Sequence, residues 1–284
     1  MSDELLNGLG ALADSKVLIK LLEMLKNATG WVISPKGNKK YHVQAVEHYI
    51  ESVKKDSTLS DIDRAVLIST ANQNIKQYIN QANILSLAVR NIDATAEIED
   101  IDSDWLSFFF EQAKIVSKED VRLIWAKLLV QKVTGECEVP KKLIHTLSII
   151  DSEDIKTFCK ICSLTFNNAD KDISRYPFVY IVKYPSYYNS INIKRYHLNA
   201  LDDLGLIEYD KADGFVLPKK VPILEYGSKK YKLSSANRIN NGNVRLTNIG
   251  SILYGLTERT QQEDFIDYCK KMWRELNIDC EDIA

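Results

Sequence analysis

Asp104-Trp-Leu-Ser-Phe-Phe-Phe-Glu-Gln-Ala-Lys-Ile-Val-Ser-Lys-Glu-Asp-Val-Arg-Leu-Ile-Trp-Ala-Lys-Leu-Leu129 reads as two consecutive helices. Trp105, Phe108 and Phe109 open the first, and Val121, Ile124, Trp125, Leu128 and Leu129 form an uninterrupted apolar stripe along the second. Recurrence at three and four residues is the helical period. Ser117-Lys-Glu-Asp120 is placed to cap the second helix. Antiparallel packing of the pair would bury both tryptophans, each contributing a few kcal/mol of transfer free energy.

The same periodicity extends on both sides of this block. Residues 15–28 put Val17, Leu18, Leu21, Leu22 and Leu25 on one face, with Asp14 or Ser15 as cap. After a basic loop, Ser34 to Lys40, comes an amphipathic helix with Val43, Val46, Tyr49, Ile50 and Val53. Ser60 then caps a long helix to about Val89. Residues 93–104 hold six acids and no base, the composition of a solvated linker. Pro140 starts a shorter helix, and Ser152-Glu-Asp154 starts one that packs Ile155, Phe158, Cys159 and Cys162.

After about residue 175 the texture changes. Residues 176–184, β-branched and aromatic between Pro177 and Pro185, read as a strand. Residues 192–204 read as a short polar helix, and 205–209 with 215–217 as a β-hairpin around a 210–214 turn. Residues 229–233 and 243–247 are further strands, and 249–256 and 263–276 are closing helices. A helix followed at once by a hairpin, after an earlier helical pair, is the order of a winged helix. The expected fold is mainly α: an N-terminal helical bundle followed by a winged-helix-like α+β domain. The expected divisions are 1–92 helical, 93–104 acidic linker, 105–170 central helical and 171–284 winged-helix-like.

Composition narrows the function classes. The 284 residues are 45% hydrophobic and 27% charged, with net charge −2, so nucleic acid or acidic lipid can be attracted only by a local patch. No apolar run approaches the roughly 18 residues that span a bilayer. The start Met1-Ser-Asp-Glu lacks a basic signal region, and five scattered cysteines suit a reducing compartment. A cytoplasmic location is expected.

Candidate chemistry is sparse. Cys159-Lys-Ile-Cys162 sits inside a helix, with Cys137, Cys269 and Cys280 single, so buried structural cysteines are expected and no metal. His42 and His48 lie about 240° apart around a helix and do not converge; His145 and His197 stand singly. Asp151, Glu153 and Asp154 occupy a helix cap and first turn, where the dipole favours acids. No catalytic set, cofactor or small-molecule substrate is read.

Charge has meaning in one segment. Residues 214–245 hold seven bases, Lys219, Lys220, Lys229, Lys230, Lys232, Arg238 and Arg245, against one acid, Glu225. Lys194 and Arg195, with Tyr196, His197 and Asn199, add a helix that could enter a groove. The competing reading is a solvated sheet edge whose lysines prevent strand pairing, and Asp202 and Asp203 would repel a phosphate backbone. The helix at 15–28 could lie on a membrane surface or dock a partner, although burial in its own domain explains it as well.

The 104–129 block, with Leu143-Ile-His-Thr-Leu147, Asp154, Phe158 and Cys162, resembles an uncharacterised bacterial domain-of-unknown-function family, number twenty-eight-oh-six, and the related abortive-infection alpha proteins. Asn72-Gln-Asn-Ile-Lys76, residues 28–35, 201–207 and 244–250 extend the likeness. Members tend to occur in prophages and defence islands, which implies an anti-phage role without established catalytic residues. Trp105, Phe108, Phe109, Trp125 and Leu128 are its structural signature here. The expected function is a non-enzymatic component of such a system, acting through protein partners or self-association. A DNA-binding regulator is the alternative, and a membrane-surface effector the third reading.

Overall fold

The computed structural model describes residues 16–29, 39–93, 96–169, 174–220 and 223–283. The basic loop at 34–38, the 30–35 part of the family likeness and the Asp14 or Ser15 cap lie outside the described residues. Among those described, eleven helices and nine short strands occur, so the chain is mainly α. It divides into two compact units, 1–149 and 150–284.

Unit 1 is helical: α1 (Lys16–Thr29), α2 (Lys39–Lys55), α3 (Asp61–Asn91), α4 (Ser103–Ala113), α5 (Glu119–Val133) and α6 (Lys141–Ile149). α4 lies against α1 and α6, and α5 lies against α3, so the whole-helix antiparallel pairing of α4 with α5 is replaced by these neighbours. Aromatic rings still join them. Trp105 stacks on Phe109 at 5.2 Å, and Phe109 meets Trp125 at 5.0 Å. Both tryptophans are buried as expected. Polar side chains of α3 close the end of α4: Gln81 donates to the Phe110 carbonyl and Asn80 to the Lys114 carbonyl, each at 2.8 Å. The Phe110 carbonyl already accepts from the Lys114 N–H at 3.2 Å, so Gln81 adds a second donor there, while Asn80 serves a carbonyl just past the helix end.

α3 runs 31 residues, about 46 Å at 1.5 Å per residue. Ser60 caps it, accepting from the Asp63 N–H at 3.1 Å. Its buried positions fall mostly in its second half. Arg64 fixes the α2–α3 turn, donating to the carbonyls of Val53, Asp56 and Leu59. Ser117 does not cap α5. Lys118 holds that position without a side-chain bond.

Unit 2 begins with α7 (Ser152–Ser163), where Asp151, and not Ser152, is the capping residue; its N–H donates to the Asp154 carboxylate at 3.3 Å. Then come β1 (Thr165–Asn168), β2 (Arg175–Pro177), α8 (Pro185–Ser190), α9 (Arg195–Asp203), β3 (Ile207–Tyr209), β4 (Phe215–Val216), β5 (Ile223–Tyr226), β6 (Lys229–Ser234), β7 (Asn240–Gly242), β8 (Val244–Leu246), α10 (Asn248–Leu256), α11 (Phe265–Glu275) and β9 (Asp279–Ile283). A five-stranded sheet has the order β2-β1-β5-β6-β9. α11 buries Phe265, Cys269, Met272 and Trp273, one helical face, in a core shared with Phe166, Phe178, Tyr226 and Tyr231.

Several sequence expectations are corrected here. The 205–217 hairpin is not formed: β3 pairs with β8, and β4 with β7. Ile207 and Tyr209 alternate inward opposite Val244 and Leu246, so burial favours the distant partner over the near one. The 176–184 strand stops at Pro177, leaving Val179 bridged to Gly242 and the following residues in a turn. The 192–204 helix starts only at Arg195, preceded by the short α8 and a turn in which Asn192 has φ 58°.

Gly250 shows how closely α10 approaches the β3 start. A Cβ there would strike the Leu206 carbonyl oxygen, a backbone atom that cannot swing aside. Gly→Ala in a helix normally stabilises by about 0.5–1 kcal/mol. Gly250→Ala is expected to reverse that sign, costing roughly 1–3 kcal/mol; a urea midpoint at or above wild type would contradict it.

Candidate binding surfaces

The predicted bases do not form one patch. Lys194 and Arg195 stand exposed at the amino end of α9 beside Tyr196, which is 61% exposed. Arg195 also donates to the Val182 carbonyl at 3.2 Å. Asp202 accepts from the Tyr209 N–H at 3.3 Å, which ties it to the fold. Lys229, Lys230 and Lys232 are exposed on β6, but Lys230 lies opposite Glu225 and Lys232 opposite Glu281. The acidic β9, a strand the sequence did not announce, thus offsets the basic one. Arg245 pairs with Glu208 across the β3/β8 ladder and stacks over Phe215 at 4.8 Å. Lys219 and Arg238 come together around one cavity of 580 Å³ with Ser235 and Asn237, and Lys220 is exposed nearby in sequence. Residues 150–284 hold nineteen Lys and Arg against nineteen Asp and Glu, so the local surplus vanishes over the unit.

The chemistry-bearing residues are similarly absorbed. Cys162 on α7 and Cys269 on α11 are buried, which pushes both thiols up. Cys137, Cys159 and Cys280 are only half-buried, so the expectation of buried cysteines holds for two of the five. Among the described residues no group of three or more His, Cys, Asp or Glu is placed to hold a metal ion. Of the family signature, Trp105, Phe109, Trp125 and Leu128 are core, while Phe108 is half-buried beneath Lys141, at 5.9 Å. A 690 Å³ cavity beside Phe108 holds Asp104, Glu111 and Lys141, with Glu111 already paired to Lys114.

His197 is buried behind Tyr196, its Nδ1 accepting from the Lys194 N–H at 3.3 Å. Burial holds its imidazole below the ordinary histidine value; Lys160 and Lys194 add to this, while Glu153 and Asp154 oppose it. The folded state therefore favours the neutral ring. Its stabilisation is present above the unfolded value near 6.5 and is lost as pH falls through the folded value. Between pH 7.5 and 5 the wild type should lose more urea resistance than His197→Asn; equal losses would contradict this.

Sequence reading missed the outward face of α3. Exposed along it are Ile62, Ala65, Val66, Ser69, Gln73 and Lys76, at helical spacing. Ile62 is 77% and Val66 59% exposed. Ala65, Ile68, Ser69, Asn72, Gln73 and Lys76 line a shallow cavity of 560 Å³ on the helix. The signal was present. Two apolar faces on one helix, Leu67–Ile68–Ala71–Ile75 and Ile62–Val66, are more than one partner helix can cover.

No helix among the described residues is long and apolar enough to cross a membrane. α1 buries Leu21, Leu22 and Leu25 within unit 1. No curated protein and no solved structure matches the chain. A family model described as protein of unknown function (DUF2806) matches residues 68–270, from the first third of α3 into α11. The chain belongs to the DUF2806 family.

Proposed function

We propose that the chain is a non-enzymatic component of a bacterial anti-phage, abortive-infection-like system, acting through protein contact or self-association. The observation that carries the contact reading is the outward face of α3, where Ile62 and Val66 stand exposed on an arm held stiff by Arg64. Large exposed apolar side chains clustered on a rigid element are what protein contacts use. The defence setting rests on the family resemblance of the 104–129 block. Phage plating on cells carrying wild type or Ile62→Glu/Val66→Glu tests both parts. The double variant should lose protection at unchanged expression and melting temperature; undiminished protection would overturn the reading.

One arrangement favours a second reading, a winged helix that contacts DNA. What supports it is the element order α7, β1, β2, α8, α9 and then β3, with β3 paired to β8 in place of a local hairpin. Lys194, Arg195 and Tyr196 lead α9. Few free bases imply few phosphate contacts, so binding should carry a shallow salt slope of roughly −2 to −3 in log–log form. Lys194→Glu/Arg195→Glu should remove it, whereas Lys229→Glu/Lys230→Glu should matter less. No anisotropy change at low salt would end this reading.

A further inference from the structure

We infer that the occupant of α3's outward face is a second copy of this chain, with the two α3 helices crossing antiparallel about a two-fold axis at Ser69. This rests on the reading of that face as a protein-contact surface and names the partner.

The face is complementary to itself. Two knobs, Ile62 and Val66, protrude toward its amino-terminal end, and a shallow groove runs from Ala65 and Ile68 through Ser69, Asn72 and Gln73 to Lys76. A two-fold contact requires the patch to contain both halves of the fit, because each residue meets its partner reciprocally. Antiparallel crossing at Ser69 sets Ile62 against Lys76, Val66 against Asn72, and Ala65 against Gln73. Each knob then enters the other copy's groove. The small side chains of Ala65 and Ser69 let the helices approach closely near the axis.

Charge selects the same register. Asp61, paired with Arg64 at 2.8 Å, and Asp63 lie in the first turn, and Lys76 ends the stripe. Asp63 accepts from the Ser60 hydroxyl at 2.6 Å and has no cation partner of its own among the described residues. About 20 Å of helix separates these ends at 1.5 Å per residue. A parallel pair would set acid beside acid and Lys76 beside Lys76. The antiparallel pair brings each Lys76 to the partner's acidic turn, with its methylenes over Ile62. The contact belongs to a weak, concentration-dependent class, since a single helix from each copy covers less than a standard interface.

Ser69→Cys tests the axis directly, because a residue on a two-fold meets itself. Mild oxidation should convert it to a disulfide dimer, with Asn74→Cys, exposed on another face of α3, and the wild type with its five cysteines as backgrounds. Lys76→Asp should raise the dissociation constant roughly five- to ten-fold, and Asp63→Lys/Lys76→Asp should restore it. Cross-linking no faster than at Asn74→Cys, or no restoration by the double exchange, overturns the proposal. If the chain stays monomeric while Ile62→Glu/Val66→Glu still abolishes phage protection, another protein occupies the face: the inference fails and the contact reading stands. If Ser69→Cys dimerises and the double exchange restores association, but protection survives the Glu variants, the inference stands and the functional reading fails.

Discussion

Replacing Trp125 by alanine should cost unit 1 about 3–5 kcal/mol, among the largest single-residue effects in the molecule. Trp125 is fully buried and its ring meets Phe109, which in turn stacks on Trp105. Truncation removes transfer free energy and leaves a cavity between α4 and α5, whose backbones are held by other neighbours and cannot collapse together. The indole nitrogen adds a discriminating control. Trp125 Nε1 is buried with no acceptor among the described residues, whereas Trp105 Nε1 donates to the Val139 carbonyl at 2.8 Å. Trp125→Phe should therefore cost less than Trp105→Phe, which also orphans a carbonyl. Urea unfolding followed by far-UV dichroism measures both; a Trp125→Ala loss under about 1 kcal/mol would contradict the packing account.

The equivalent position in unit 2 is Phe166. Its ring lies 4.8 Å from those of Phe178 and Tyr226, and within 6.2 Å of Trp273, Phe265 and Tyr231. It is fully buried at the point where β1 meets α11. Phe166→Ala should also cost about 3–5 kcal/mol. For a unit of this size that is a fall in melting temperature of roughly 10 °C or more. Phe166→Leu should recover much of it by refilling volume. A melting temperature within 2–3 °C of wild type, about what 1 kcal/mol would produce, would show that these rings are not the core they form on paper.

Much of the helical architecture was legible because it rests on local periodicity. The faces of α1, α5 and α11 repeat at three and four residues, and the Ser60 cap stands where the pattern begins. The failures lie where distant segments decide. β3 and β4 look like a hairpin until Val244 and Leu246 supply a better buried partner for β3. β9, Asp279 to Ile283, lacks the β-branched run of a strand and is held by pairing with β6. Missing β9 also distorted the functional reading, because a seven-base segment counted along the chain is basic, while the sheet sets Glu225 and Glu281 among its lysines. The α3 surface was overlooked for a related reason: a long helix with apolar residues on both faces reads simply as a long helix.

Mass in solution is the most direct measure of the central claim, that the chain works by contact through the outward face of α3. Sedimentation equilibrium across the micromolar range should show wild type passing from one copy toward two, and Val66→Glu remaining at the 32.4 kDa of a single chain. A wild type that holds 32.4 kDa throughout, or a dimer indifferent to Val66→Glu, would contradict self-association through that face, the form of contact to which the account commits itself.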